Sequence, residues 1–281
     1  MPSGRRYKTE RANDAVDARD HSSSQNIVYG VNSVMEALRA GKRPIDSVTI
    51  LESARPDRIK ELIELARQRH VPVHRVPRID LDRNLGPARH QGVFARVGAA
   101  RYADPDELLE AISQKIGSDD PPFVMGLDSI EDPRNMGSIL RTAECVGVHG
   151  VFVPERRATG LTDVVAKVAA GALEYVPVAR VTNLVRLIEQ LKERNIWVVG
   201  ATGDAKQSYT DWDWKQPSAL ILGNEGQGLH RLVRETCDTL VRIPVVGHLE
   251  SLNVSVAAGV LLYEARRQRN LRPAKLERDE K

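Results

Sequence analysis

The apolar residues between positions 26 and 98 recur in short runs beside one clearly helical stretch. Over Arg58–Arg69 they fall on one side of an amphipathic helix, and the short runs predict strands. These strands are expected at Ile27–Gly30, Ser47–Leu51, Val71–Val73 and Gly92–Val97. The pattern therefore predicts a small α/β domain over residues 26–98.

A second and longer α/β pattern begins at Phe123. Strands are expected at Phe123–Leu127, Gly150–Val153, Tyr175–Val178, Ile196–Ala201, Ala219–Leu222 and Thr239–Ile243. Helical segments separate these strands, which predicts a mostly parallel sheet covered by helices on both faces. Because ligands of such sheets bind at the carboxyl ends of the strands, we expect the chemistry in the loops that follow them.

Changes in composition divide the chain further. Residues 1–25 are polar with mixed charge and are expected to form a disordered tail. Residues 99–120 are expected to be a linker that contains a helix over Pro105–Ile116 and permits movement of the N-terminal domain. The larger domain then spans residues 121–270, and a C-terminal tail spans 271–281.

Composition and charge narrow the class of protein. Hydrophobic residues make up 41% of the 281, and no apolar run approaches the ~20 residues of a membrane helix. The basic start has no apolar stretch behind it, so the expected compartment is the cytoplasm. Cys145 and Cys237 are isolated, which excludes a disulfide framework or a zinc site built from them. The net charge of +3 permits nucleic acid, and the arginine-rich run 265–272 fits RNA binding or a solvated helix end equally well.

The loop after the first strand of the larger domain carries the first candidate motif. Asp132 and Pro133 favour a turn, and Asn135 is expected to cap a helix that begins near Met136. Arg141 follows on that helix. An ordinary capped helix with a surface arginine would explain the same residues.

The second motif is the glycine-rich segment Leu222–Leu229, in which an apolar strand ends. Its backbone N–H groups are available to a ligand, but the carboxylate of Glu225 disfavours a bound phosphate. The segment also lacks the Lys-Ser/Thr pair of a P-loop and the spacing of a dinucleotide fold. A cationic or neutral ligand is expected, and a tight structural turn is the alternative.

The third motif follows the last predicted strand. Ile243 and Pro244 end that strand, and the segment Ser251–Asn253 opens a long helix that is expected to reach about Arg269. Ser251 is a suitable N-cap for it.

Together the three segments resemble the motifs of the SpoU–TrmH family of RNA ribose methyltransferases. They occur in the family's order and at strand ends, over about residues 123–269. The matching residues are Asn135, Gly137, Ile139, Arg141, Thr142 and Ala143, then Leu222–Gly226 with Gly228 and Leu229, then Ile243, Pro244, Ser251–Ser255 and Leu262–Glu264. Val245 stands where many members have Met.

A weaker resemblance covers residues 26–98. Tyr29-Gly30 before a helix, and the segment His90–Val93, are similar to the substrate-binding domain of one subgroup of the family. That subgroup modifies a guanosine of large-subunit (23S) ribosomal RNA, so ribosomal RNA is the expected partner.

The resemblance implies a fold and a cofactor. The expected fold is an α/β-knot, a trefoil-knotted and mostly parallel sheet, with a smaller N-terminal α/β RNA-binding domain, in a homodimer. The expected methyl donor is S-adenosylmethionine, and no metal is expected. The residues implied to bind the donor, largely through backbone groups, are Gly223, Ile243 and Leu252, with Leu222, Asn224 and Gly226 beside them.

The resemblance also implies the catalytic residues. Arg141 is expected to accept the proton of the ribose hydroxyl or to orient it, and Glu225 to form a charge-assisted hydrogen bond with Arg141. The residues expected to hold arginine, ribose and donor in register are Asn135, Glu225, Ser251 and Asn253.

Other functions remain open at the level of sequence. Relatives with the same motifs methylate transfer RNA or confer resistance to antibiotics that bind ribosomal RNA. A non-catalytic ribosome-assembly factor on the same scaffold would be expected to lack Arg141, Glu225 or Asn253, and all three are present. An oxidoreductase would need a GxGxxG segment after the first strand of the larger domain, where residues 128–137 have no such spacing.

Overall fold

A computed structural model describes residues 26–85, 91–249 and 251–269 of the chain. The tails predicted at 1–25 and 271–281 lie outside these described residues, as does His90 of the N-terminal motif. The described residues form two separate β-sheets, one on each side of residue 100.

The N-terminal sheet has the strand order β1-β4-β2-β3, and only β2 and β3 pair in parallel. Its elements are β1 (Asn26–Tyr29), α1 (Val31–Ala40), β2 (Ile45–Leu51), α2 (Pro56–Gln68), β3 (Val73–Val76), α3 (Arg78–Leu85) and β4 (Val93–Val97). β3 begins later than expected because a left-handed turn after α2 includes Val71. His70 adopts a left-handed φ of 55°, and the N–H of Val71 donates to the carbonyl of Ala66 at 2.8 Å.

The C-terminal sheet has the order β7-β6-β5-β10-β8-β11-β9, and all of its strand pairs are parallel. Its strands are β5 (Phe123–Asp128), β6 (Gly150–Pro154), β7 (Val178–Val181), β8 (Trp197–Ala201), β9 (Gln207–Ser208), β10 (Ser218–Gly223) and β11 (Thr239–Arg242). Its helices are α4 (Pro105–Ser113), α5 (Pro133–Val146), α6 (Asp163–Ala169), α7 (Leu184–Glu193), α8 (Arg231–Thr236) and α9 (Val254–Arg269). β7 starts after the expected Tyr175 because Ala172–Glu174 first form a 3₁₀ turn.

Apolar residues cover both faces of this parallel sheet, as the alternation of strands and helices predicts. One cluster packs beneath α5 and α9, and a second packs beneath α4 and α7. Leu108, Leu109 and Ile112 of α4 are buried in the second cluster. The predicted linker is therefore in part an element of the larger domain, since its helix supplies core residues. None of the helices in the described residues is long and apolar enough to cross a membrane.

Among the described residues, polar contacts join the N-terminal domain to the larger one. The Arg43 guanidinium forms an ion pair with Glu174, whose side chain is only 2% exposed, and its Nε lies 3.1 Å from Glu174 Oε2. The Tyr175 hydroxyl donates to Glu36 at 2.6 Å, and the Lys167 ammonium lies 4.6 Å from the centre of the Tyr29 ring. These contacts hold the N-terminal domain against the larger one in this structure, and the movement expected of the linker stays a prediction.

The last turn of α9 is tied to the beginning of the C-terminal sheet. Arg269 donates hydrogen bonds of 2.6–3.1 Å to four backbone carbonyls, those of Pro121, Pro122, Trp214 and Gln216. Burial lowers the pKa of Arg269 to about 10. This part of the basic run 265–272 therefore has a structural role, while Arg272 lies outside the described residues.

A largely buried histidine at the same end of the sheet predicts an effect of pH on stability. His149 Nδ1 accepts the N–H of Phe123 at 3.0 Å, so the neutral ring donates from Nε2 to Asp120 at 2.8 Å. Burial lowers the pKa of His149. Below about pH 6.5 the unfolded chain then binds more protons than the folded chain, and the free energy of unfolding is expected to fall as the pH falls.

Urea unfolding of the wild type and of His149→Asn at pH 7.5 and pH 5.5 tests this effect. The asparagine carbonyl can still accept the N–H of Phe123 but does not titrate. The variant is expected to be less stable at both values and to lose less stability on acidification. Equal losses in the two proteins would contradict the assignment.

Candidate active site at the carboxyl edge of the sheet

The three motif loops leave the C-terminal sheet on one edge. β5 and β10 are direct neighbours in parallel register, and β8 separates β10 from β11. The loops that follow β5, β10 and β11 are therefore brought together, as expected from the parallel topology.

Both motif helices begin differently from the prediction. α5 begins at Pro133, and Asp132 caps it by accepting the N–H of Arg134 at 2.6 Å. Proline is favoured at the first helical position, which explains the earlier start. α9 begins at Val254, and its cap is Asn253 rather than Ser251. Its side-chain oxygen accepts the N–H groups of residues 255 and 256 at 3.0 and 3.3 Å.

A carboxylate joins the three motifs. Glu225 Oε1 accepts the side-chain N–H groups of Asn135 at 2.7 Å and Asn253 at 2.5 Å, and the N–H of Val254 at 3.4 Å. Asn253 also donates to Asn135 Oδ1 at 3.1 Å. We call Asn135, Glu225 and Asn253 the Glu225 network. Glu225 Oε2 accepts no hydrogen bond from any described residue, which leaves one carboxylate oxygen available.

Arg141 does not belong to this network, and the expected hydrogen bond between Glu225 and Arg141 is not formed. The rise of an α-helix places Arg141 about 9 Å further along the helix axis than Asn135. The Arg141 side chain is exposed and forms no ion pair with a described residue. Its guanidinium is therefore available to a ligand from outside the chain.

A cavity of about 550 Å³ lies beside the Glu225 network, between the second and third motifs. All the residues expected to bind the donor line it, namely Leu222, Gly223, Asn224, Gly226, Ile243 and Leu252, and so do Glu225 and Ser251. A smaller cleft of about 340 Å³ is formed by the first motif and shares residues 224–227 and Val254 with the cavity. Asn135 lines this cleft, so the two spaces meet at the Glu225 network.

The backbone of the second motif is tightly closed. An added Cβ on Gly223 would lie 2.1–2.3 Å from backbone atoms of Gly228 and Leu229. The Asn224 side chain accepts the N–H groups of Gly226 and Gln227, both at 2.8 Å. Asn224 therefore shapes the loop, and it also lines the cavity, so its part in donor binding stays a prediction.

Sequence reasoning missed the part of the cavity that β8 supplies. Residues 201–204 line it, and Asp204 is paired with Arg234 at 2.9 Å. The predicted strand β8 could have indicated these residues, because in a parallel sheet its carboxyl end lies on the same edge as those of β5, β10 and β11. Sequence reasoning also missed His230, which bonds to Asp128 at the end of β5. No group of three His, Cys, Asp or Glu side chains that could hold a metal occurs in the described parts of the chain.

Comparison with known families bears on this site. The model of the SpoU rRNA Methylase family matches residues 122–263, and a model for RNA 2′-O ribose methyltransferase substrate binding matches residues 27–103. The chain belongs to the SpoU rRNA methylase family. It is thus an RNA ribose methyltransferase, and the resemblance carried by the three motifs is confirmed.

Relatives of this SpoU-family chain span nearly its whole described length. It is 45% identical over 249 residues to YacO of Bacillus subtilis, described as a TrmH family tRNA/rRNA methyltransferase, covering 89% of this chain and 98% of that one. The SpoU methyltransferase AviRb from Streptomyces viridochromogenes, solved with the cofactor AdoMet, is 28% identical with a TM-score of 0.70, covering 87% and 90% of the two chains. A solved RNA 2′-O ribose methyltransferase is 26% identical with a TM-score of 0.72, covering 90% and 93%. These likenesses confirm the predicted fold class, an α/β-knot with a smaller N-terminal α/β domain.

Proposed function

We propose that the protein transfers the methyl group of S-adenosylmethionine to a ribose 2′-hydroxyl of large-subunit ribosomal RNA, at a guanosine. The observation that carries the proposal is that the cavity and the cleft adjoin each other at the Glu225 network. The 550 Å³ cavity would hold the donor, and the adjoining cleft would hold the ribose.

The residues of the cavity fit this donor. Leu222, Val241, Ile243 and Leu261 supply apolar surface for an adenine ring. The loop Gly223–Gly228 supplies backbone groups, and Gly223 allows the close approach of its two arms. The open Oε2 of Glu225 matches a positively charged sulfonium, whereas it would repel a phosphate. S-adenosylmethionine supplies an already activated methyl group when bound. The site must therefore act mainly on the ribose hydroxyl, which is a weak acid and a poor nucleophile.

The side chains around the cleft would align that hydroxyl. The Glu225 network holds the loops of all three motifs in one geometry, and Ser251 lines the cavity from the third motif. Arg141 is exposed and unpaired among the described residues, so it is available to bind an RNA phosphate and to orient the ribose hydroxyl. A guanidinium keeps its proton under ordinary conditions, which favours orientation over proton abstraction as its role.

Two features support the proposed partners. The N-terminal domain over residues 26–98, proposed to bind RNA, coincides with the substrate-binding family model. Exposed apolar side chains surround the third motif, and Val246, Leu249, Val256 and Tyr263 are each more than half exposed. Several exposed apolar side chains in one motif favour a homodimer that covers them.

Methylation of RNA from cells that lack the gene tests the proposal. The purified full-length chain is supplied with labelled S-adenosylmethionine and total RNA, and large ribosomal RNA and transfer RNA are then separated. Label is expected in large ribosomal RNA, in a dinucleotide that survives alkaline hydrolysis because the 2′-hydroxyl is blocked. Glu225→Gln is expected to reduce the label strongly.

Other results would overturn parts of the proposal. Label in transfer RNA would show that transfer RNA is the substrate. Label on a base would show that the enzyme methylates a base and not the ribose. Light scattering of the same preparation is expected to give twice the chain mass of 31.2 kDa. If an active preparation has the mass of one chain, the protein methylates RNA as a monomer, and the homodimer is wrong.

A further inference from the structure

A buried carboxylate at the end of β5 is bound to a histidine outside the three motifs. Asp128 is 5% exposed, and its two oxygens accept the backbone N–H of His230 at 2.7 Å and bond to His230 Nδ1 at 2.8 Å. An ionised carboxylate can only accept, so Nδ1 carries the proton. In the neutral ring the outward-facing Nε2 is then an acceptor.

That acceptor holds an arginine from a third loop. Arg157, which follows β6, lies with Nη1 3.4 Å from His230 Nε2, and its side chain is exposed. The loop of Arg157 is fixed to the first motif, because the N–H of Thr159 donates to the carbonyl of Ile130 at 3.0 Å. A guanidinium has five N–H donors, so the bond to His230 leaves most of them available. We call Asp128, His230 and Arg157 the Arg157 anchor.

The Arg157 anchor lies next to residues that line the cleft, on the β6 side of β5, whereas the 550 Å³ cavity lies on the β10 side. Asp128 directly precedes Ser129, which lines the cleft, and β5 and β6 are neighbours in the sheet. Glu131 and Asp132 of the cleft are exposed carboxylates, so a phosphate backbone would be repelled along that rim. Arg157 is an exposed cation on the loop that is bonded to Ile130 of the cleft, away from these carboxylates.

We propose that Arg157, oriented by His230 and Asp128, binds a backbone phosphate of the RNA strand next to the nucleotide in the cleft. The proposal rests on the proposed function for the nature of the polymer. Arg157 is a binding residue, and His230 and Asp128 are positioning residues that act through it. The pre-oriented fork presents paired N–H donors to the phosphate oxygens, which a freely rotating arginine does less well.

The salt dependence of RNA binding tests the anchor. Affinity for purified large ribosomal RNA is measured at several KCl concentrations for wild type, Arg157→Gln and Lys215→Gln. Loss of one phosphate contact lowers the slope of log affinity against log salt by about 0.7–0.9. That change is expected for Arg157→Gln, with a raised KM for RNA and with kcat and donor affinity unchanged. Lys215 is an exposed cation before β10, on the opposite edge of the sheet, and its variant should match the wild type.

The variant His230→Asn separates positioning from loop structure. The asparagine N–H group can replace Nδ1 toward Asp128, but nothing replaces Nε2 toward Arg157. It is expected to raise the KM for RNA in the same direction as Arg157→Gln, by a smaller factor, with donor affinity kept. An unchanged slope in Arg157→Gln, or an equal change in Lys215→Gln, would overturn the proposal. Because binding is measured without methyl transfer, its failure is distinguishable from failure of the proposed reaction.

Discussion

Arg141→Ala is expected to lower kcat about 10²–10⁴-fold while leaving the affinity for S-adenosylmethionine nearly unchanged. The side chain lies on α5 outside the Glu225 network and does not line the 550 Å³ cavity. Its loss therefore removes the group proposed to align the ribose hydroxyl without touching the residues proposed to hold the donor. Single-turnover methylation of ribosomal RNA, paired with calorimetric donor binding, measures both quantities.

Arg141→Lys is the matched control for charge. Lysine keeps the positive charge but loses the planar fork, so it is not expected to restore the rate. A surface arginine without a function would behave differently, since its replacement changes stability by about 0.5 kcal/mol or less and leaves the rate alone. Near-normal turnover in Arg141→Ala would remove this residue from the reaction and direct attention to Asn135 and Ser251.

Gly223→Ala is expected to disable the second motif. The added Cβ would lie 2.1–2.3 Å from backbone atoms of Gly228 and Leu229, which have no flexible side chain that could yield. The two arms of the loop must then separate by about 1 Å or more, and misplacement of that size costs about 100-fold in rate. Methylation rate and donor affinity, measured as for Arg141, are expected to fall together.

Gly226→Ala is the control for Gly223 within the same loop. A Cβ at position 226 meets nothing closer than Asn224 Oδ1 at 3.7 Å, which is ordinary contact. Its backbone N–H can still donate to Asn224 Oδ1 as it does in the wild type, at 2.8 Å, so a change of only a few-fold is expected in both measurements. Equal losses in the two variants would show that the loop tolerates an added Cβ at neither glycine, and that the close approach at Gly223 is not the cause.

The positions of the three motif loops could be predicted from the sequence because short apolar runs mark the strands that precede them. Apolar runs located β5, β10 and β11 to within a few residues, and parallel topology requires their carboxyl ends to share an edge. The residues that cap the two motif helices were harder to predict, since each motif contains more than one residue that can cap a helix. Asp132 competes with Asn135, and Asn253 with Ser251, and each cap lies directly before the first helical residue.

Contacts between distant parts of the chain could not be predicted. Arg43 and Glu174 are 131 positions apart, and Asp128 and His230 are 102 apart. Periodicity in a single sequence does not relate such residues, because their contact depends on how the helices and strands pack in the tertiary structure. The predicted pair of Glu225 and Arg141 failed for a local reason, the rise of α5 between Asn135 and Arg141.

The ion pair between Arg43 and Glu174 has a consequence for engineering the enzyme toward other RNAs. Exchanging residues 26–98 for a relative's domain would carry Arg43 away but leave Glu174 in the catalytic half, where it is 2% exposed. A buried carboxylate without its cation typically costs about 3–5 kcal/mol. A chimera designed only at the boundary between the two sheets would therefore be at risk of misfolding for reasons unrelated to RNA recognition. The transplant should include an arginine at position 43, or replace Glu174 at the same time.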